Sequence, residues 1–363
     1  MSRIINNIAT PLFTDLRVMA AAVVLAGAMS ACSSDDGTAL AVPDSSAATG
    51  DAVVFTISTG KEATRAFTYD NKWTMNDQMA ICEGSTVYQY KASGNSSSSG
   101  DRVAVVPVTV GAQSTYYWSP ETTSRTFCAW YPYSSNKPEN THGSITVATD
   151  QRGTASDTPE DEGSLGQTDY NNYDLLYAPD ITVNYKETVN LSFYHQLCRI
   201  IVTVNSTATT GSKPVTDIKL GDNNIAVSGT INTLGKTGTG ITGTATSWSV
   251  SAGSETINMR RKVYDTANHL FTYECVIPPQ SLDANKKLFQ ITTTNSSDSS
   301  TKTTNYVPEN MYTDTPIFQA GCQYNYSISL SAAGRVNVAT VQVYDWSTEY
   351  INDETATIPD AGY

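Results

Sequence analysis

Apolar and polar residues alternate along most of this chain. Val53, Phe55 and Ile57 share one parity, with Val54, Thr56 and Ser58 between them. Val189, Leu191, Phe193 and His195 repeat the pattern, as do Phe271, Tyr273, Cys275 and Ile277. In the clearest case Tyr324, Tyr326, Ile328 and Leu330 stand against Asn325, Ser327 and Ser329. A period of two places successive side chains on opposite faces of a strand, so each run predicts a half-buried β-strand. Val103 to Val110, Thr126 to Tyr133, Ile181 to Tyr185, Ile200 to Val204 and Leu288 to Thr292 are further strand candidates. No window beyond the first thirty or so residues holds a 3.6-residue apolar period. Polar stretches interrupt the runs: Ala92 to Asp101, Thr154 to Asp169, and the Gly/Thr-rich Gly235 to Thr246. Many short strands between such loops predict an all-β chain of sandwiches. The expected boundary lies near Lys186, with domains at 52–186 and 187–363 and no strong internal repeat.

The first fifty residues follow another rule. Arg17 precedes an apolar run from Val18 to Met29, VMAAAVVLAGAM. A helix needs roughly 20 such residues to cross a bilayer core, and this run is shorter. Its length and small-residue exit fit a secretory signal instead. The run ends Met29-Ser30-Ala31-Cys32, which resembles a bacterial lipobox, so residues 1–31 are expected to be a lipoprotein signal peptide and Cys32 the lipid attachment site. Ser33-Ser34-Asp35-Asp36-Gly37 looks like the acidic export signal that sends lipoproteins to the outer face in some anaerobic Gram-negative bacteria. Ala, Ser, Thr, Pro and Gly then dominate, making 32–51 a flexible tether.

Composition narrows the function. Of 363 residues, 39% are hydrophobic, enough for real cores, whereas only 16% are charged, low for helical surfaces. Tyr at 21 against Phe at 8 suits strands that reach partly into water. A net charge of −13 disfavours nucleic acid and anionic lipid headgroups as partners. With Cys32 used for lipid, Cys82, Cys128, Cys198, Cys275 and Cys322 remain, so at least one is unpaired or bonded to another chain. They show neither a CxxC nor zinc spacing, and their pairing is open; buried strand thiols are the simplest reading.

Catalytic chemistry finds little footing. There are three histidines and no GxSxG elbow. His195 lies on the apolar parity of its strand and reads as a structural imidazole; His142 and His269 sit in polar contexts. Asp157, Glu160, Asp161, Glu162 and Asp169 form an acidic loop without the DxDxDG spacing that preorganises calcium ligands. The expectation is no enzyme, no catalytic residue, no metal and no cofactor. Tyr116, Tyr117 and Trp118 read as a strand or loop edge, with a carbohydrate-stacking platform as the alternative.

Taken in order, these segments resemble the fimbrillins, which build the pili of gut and oral anaerobes, and their accessory proteins. The likeness starts at the lipobox and the strand AVVFTIS, then Thr64-Arg65-Ala66, Trp73, and WTMNDQMAIC ending at Cys82. It continues through TFCAWYPY ending at Tyr133, DLLYA ending at Ala178, LSFYHQLC ending at Cys198, VIPPQ ending at Gln280, GCQYNYSISL ending at Leu330, and Trp346. VIPPQ carries a second proline where the family usually has one. The resemblance implies two transthyretin-like Greek-key β-sandwich domains, lipoprotein export, and assembly by strand exchange once a protease removes the first strand. The partners it implies are other pilus subunits, the outer membrane through the lipid, and a host or bacterial surface ligand.

On that model cleavage falls between Arg65 and Ala66, beyond the loop Gly60 to Thr64, with Lys61 a competing site. The donor-strand candidate is Val336, Val338, Val341 and Val343, in which the first two valines share one parity and the last two the other. That switch predicts a bulge or two short strands, and the tail through Ile358 is a further donor candidate. The expected function is thus a structural or accessory pilus subunit at the cell surface, supporting adhesion; the alternative is a surface glycan-binding outer-membrane lipoprotein.

Cys32→Ser should leave the precursor unprocessed and unlabelled by radioactive palmitate. A mutant that matures and reaches the surface at normal levels overturns the lipid assignment.

Overall fold

The computed structural model describes residues 51–59, 73–97, 101–109, 114–120, 123–139, 144–152, 174–206, 214–237, 246–282, 286–294, 299–306, 317–330 and 336–346. These lie in a compact unit spanning Ser46–Tyr363. Cys32, the tether up to residue 50, Arg65, Ala66, His142, the acidic loop and the tail beyond Trp346 are outside the described residues. Among those described, regular structure is entirely β-strand.

The first strands in the chain are Phe55–Thr59 (β1), Gln78–Glu83 (β2), Thr86–Ala92 (β3), Val103–Pro107 (β4), Ser124–Tyr131 (β5), Ile145–Thr146 (β6), Leu176–Asn184 (β7) and Val189–His195 (β8). All except β6 join in a closed barrel of order β1-β4-β3-β2-β5-β7-β8. β2 and β3 form a hairpin in which Glu83 faces Thr86, leaving Gly84 and Ser85 as a two-residue turn. Gly84 has φ +57°, the sign that the primed turns favoured by twisted hairpins demand, and glycine adopts it without a Cβ clash. β5 ends at Tyr131, since Pro132 has no N–H for the ladder. β4 stops at Pro107, short of the expected Val110.

β1 closes the barrel. It pairs antiparallel with β4, with Phe55 facing Val105, and parallel with β8, with Phe55 facing Val189. The inward parity holds: Val53, Phe55 and Ile57 are at most 5% exposed, while Val54 is 57% exposed. Phe55 sits edge-on to Tyr90, Tyr116 and Phe127, with centroids 5.2, 6.0 and 5.0 Å away. At another point of the same core Trp73 packs on Tyr131 and Phe193 at 5.4 and 5.0 Å. β8, which starts beyond Lys186, contributes Val189, Leu191 and Phe193 to this core rather than to the next one.

The later strands are Cys198–Ser206 (β9), Val215–Ile225 (β10), Ser228–Thr233 (β11), Ser247–Val250 (β12), Glu255–Asn258 (β13), Arg260–Asp265 (β14), Leu270–Ile277 (β15), Gln280–Ser281 (β16), Phe289–Thr294 (β17), Thr301–Tyr306 (β18), Ile317–Phe318 (β19), Cys322–Leu330 (β20) and Val336–Asp345 (β21). A five-stranded sheet, β14-β15-β9-β20-β21, and a four-stranded sheet, β13-β10-β17-β18, share one core containing Val202, Ile218, Phe271, Phe289 and Tyr326. β6, β11 and β12 form a small sheet whose Ile231 meets Ala80 and Trp130 of the barrel and Val276 of β15 in a third cluster. Gly229 in β11 cannot carry a side chain: a Cβ there would lie 2.6 Å from the Val250 side chain.

That third cluster changes one expectation. β15 alternates as predicted toward its core, but Glu274 and Val276 on the opposite face are also 0% exposed. Burial on both faces requires partners for every polar group. Glu274 receives Arg199 at 2.6 Å, Arg260 at 3.3 Å and Lys262 at 3.6 Å, and Arg199 also donates to Gln323 at 3.1 Å. The Gln151 amide binds the N–H and C=O of Val276, both at 2.9 Å, acting as a one-residue strand against β15. Gln280 does the same for Ala226 at 2.8 and 2.9 Å.

Phe55→Ala removes the ring on which three other aromatics converge and should cost about 3–5 kcal/mol. Urea unfolding checks this; a midpoint within error of the parent would show that β1 is not integral to the barrel.

Candidate functional site

The geometry singles out the seam at β1 and the strand β21. β1 is five residues long, shorter than β8, yet it satisfies ladders on both sides. Its two neighbours therefore depend on it. Without β1, β4 and β8 would each expose unpaired N–H and C=O groups, and Phe127, Tyr90 and Tyr116 would border an open apolar slot.

β21 lies at an edge of the five-stranded sheet. It pairs antiparallel with β20 from Cys322↔Asp345 to Leu330↔Val336, and its other edge faces no strand among the described residues. The predicted parity switch appears as a register shift: Ser329 faces Val338 but Leu330 faces Val336, so Asn337 is the extra residue of a bulge. The bulge lets Val336 and Val341, of opposite sequence parity, both pack against the same core. Val343 is 39% exposed. The Val338 side chain lies outside the described set.

Immediately after β21, Trp346 turns back to the barrel end. Its ring stacks on the His195 imidazole, with centroids 4.1 Å apart and planes 7° from parallel. The backbone N–H of Trp346 donates to Gly321 O at 2.7 Å. His195, the last residue of β8, is 2% exposed, and its Nδ1 lies 2.8 Å from the Asp174 carboxylate. Thr237 donates its hydroxyl to the His195 carbonyl at 2.6 Å. The imidazole is thus the structural group that its parity predicted, and it joins the strand beside β1 to the end of β21. Sequence reasoning identified both residues but had no signal for the stack, which needs sites 151 positions apart to meet.

The aromatic triplet is not a binding platform. Tyr116 and Trp118 are each 3% exposed. The Tyr116 hydroxyl reaches the Ile81 and Thr86 carbonyls at 2.9 and 2.8 Å, inside the barrel core. Arg125 lies over the Tyr116, Trp118 and Phe127 rings at 5.6, 5.8 and 5.2 Å, pairs with Glu83, and donates to Tyr117 O at 2.6 Å. Burial, not a nearby charge, dominates the phenols: it pushes Tyr90 up to about 12 and raises Tyr116, Tyr131 and Tyr177 further. These phenols stay neutral in water near pH 7 and serve as hydrogen-bonding core residues. No group of His, Cys, Asp and Glu suited to a metal ion occurs among the described residues.

Of the expected site residues, Val336, Val338, Val341 and Val343 fall on one strand, β21. Cys32, Arg65 and Ala66 lie outside the described residues, although β1 ends at Thr59, six positions before Arg65.

His195→Ala should cost about 2–4 kcal/mol, since it strips the buried Asp174 of its partner and leaves a gap under Trp346. Urea unfolding and the near-ultraviolet dichroism of the stacked indole check this. A variant with parental stability and an unchanged indole band overturns the bridging role.

Residues 64–346 match the family model described as Fimbrillin-like. Among solved structures, a proposed cell adhesion protein from Bacteroides uniformis superposes with a TM-score of 0.53 at 18% identity, covering 82% of this chain and 98% of that one. A proposed cell adhesion protein from Bacteroides ovatus gives 0.53 at 16% identity, covering 83% and 99%. At such identities the likeness is one of fold. Comparison with curated proteins yields no match.

Proposed function

Since the chain belongs to the fimbrillin-like family, we propose that it is a structural or accessory subunit of a cell-surface pilus, exported as a lipoprotein on Cys32 and assembled by strand exchange. The observation that carries this reading is the position of β1, a short strand with ladders on both sides whose C-terminal end leads toward Arg65. A protease that cuts between Arg65 and Ala66 severs β1 from the rest of the barrel. Once severed, β1 is held only by non-covalent contacts, and its departure bares the slot between β4 and β8.

A strand from a neighbouring subunit then fills the slot by β-strand addition, satisfying both ladders and burying apolar side chains on the inward parity. The donor is β21 with its valines, or the tail that follows it. β21 suits the role because it is an edge strand with one partner among the described residues. In this reading two transthyretin-like sandwich domains divide near Lys186, with β8 reaching back across the boundary to complete the first. Partners are other pilus subunits and the outer membrane, and adhesion follows from the polymer.

Purified precursor should stay monomeric. A trypsin-like protease should produce a new N-terminus at Ala66 together with SDS-resistant oligomers. Arg65→Ala should block both, whereas truncation after Gly334 should permit cutting and abolish polymerisation. Polymers formed by the uncut Arg65→Ala precursor would remove this mechanism.

A further inference from the structure

Two thiols in the barrel wall face one another. In the antiparallel β2/β5 pair, Cys82 is the direct register partner of Cys128. Directly opposed residues in such a ladder have Cα atoms about 4.5 or about 5.5 Å apart, depending on the hydrogen-bonding site. Both values fall in the disulfide range of about 4.4–6.8 Å. The two side chains lie on the same face of the sheet, in the cluster with Ala80 and Trp130, and each residue is 7% exposed.

We propose that Cys82 and Cys128 form a cross-strand disulfide when the chain meets an oxidising compartment. The oxidant is a protein or low-molecular-weight disulfide. The Cys82 thiolate attacks one of its sulfurs, breaking that S–S bond and forming a mixed disulfide while the first thiol leaves. Cys128 then loses its proton and attacks Cys82 Sγ, which expels the oxidant's second thiol. Two protein thiols are oxidised to one disulfide, and one disulfide is reduced to two thiols.

The surroundings favour this order of attack. The hydrogen bond with Cys128, aided by the Lys137 charge, lowers the Cys82 pKa, while the same bond and burial raise that of Cys128. Cys82 also lies beside the tight Gly84 turn, donating to Gly84 O at 3.3 Å, near the end of its strand. Two of the other thiols, Cys198 and Cys275, are placed differently. Cys198 donates to Gln319 O at 2.9 Å inside the second core, and Cys275 is wholly buried in that core. Burial pushes both far above the ordinary thiol range, which suppresses thiolate.

The location has a consequence that, unlike the disulfide itself, rests on the proposed strand exchange. Counting round the barrel from β1, β2 is the third strand in one direction and β5 the third in the other. The staple therefore spans the seam opposite the removable strand. When the barrel opens at β1, the β2/β5 seam becomes the middle of the remaining sheet and stays covalently joined.

The test uses the full chain, purified reduced and then refolded in a glutathione redox buffer, with alkylation in denaturant and peptide mapping without reductant. The expected result is one cross-linked peptide pair containing Cys82 and Cys128, two hydrogens lighter than the reduced peptides, with Cys198, Cys275 and Cys322 alkylated. Reductant should then lower the melting temperature of the parent by several degrees, and leave that of a Cys82→Ala/Cys128→Ala variant unchanged. Full alkylation of Cys82 and Cys128 after oxidation, or their cross-linking to other cysteines, overturns the proposal. These readouts require neither cleavage at Arg65 nor polymerisation, so they stand or fall separately from the pilus reading.

Discussion

The barrel depends on the double-sided pairing of β1. A five-residue strand has few contacts of its own, but here each of its backbone edges is matched, by β4 on one side and β8 on the other. Closure removes the free edges that would otherwise template pairing with another chain. It also places Phe55 and Ile57 where the side chains from the surrounding strands converge. The parallel pairing with β8 is the less usual half: consecutive hairpins give antiparallel neighbours, so a parallel pair must join strands distant in sequence. The same device recurs in the second core, where β9 and β20 run parallel from Arg199↔Gln323 to Ser206↔Leu330.

Burial of polar groups ties the remaining layers together. The face of β15 that a simple sandwich would leave in water is instead covered, and Glu274 is held there by three basic side chains. Such a cluster stabilises little relative to an apolar packing of the same volume, because desolvation offsets most of its attraction. What it supplies is register, since Arg199, Gln323 and Glu274 meet only when β9, β20 and β15 are aligned. Gln151 and Gln280 act similarly, each matching both backbone groups of one residue with a side-chain amide. His195 and Trp346 carry the same principle to the end of β21 through a ring stack.

The strands most legible beforehand were those with one wet face. β8 and β20 kept their expected inward sets, because a period of two with one buried face admits no other register. The parity break in the valine strand was also legible, and the bulge at Asn337 is its physical form. Less legible were the strands without regular alternation. β10 carries a register shift against β17, and β14 is half-buried throughout, so neither presents a clean apolar stripe. Tyr116 and Trp118 were legible as a strand or loop edge, but their local context did not show that both rings fold inward onto Arg125 and the barrel core, which removes the stacking-platform alternative.

Local chemistry along the chain was sufficient to determine the all-β class, the main inward-facing residues and the structural character of His195. Each depends on near neighbours, through side-chain alternation. Tertiary structure alone decided that β8 closes the first barrel, that Glu274 is buried, that Cys82 faces Cys128, and that Trp346 covers His195. Those facts join residues tens to more than a hundred positions apart. No local pattern encodes them, because strand order is set by which edges and apolar faces remain to be satisfied once the whole chain has packed.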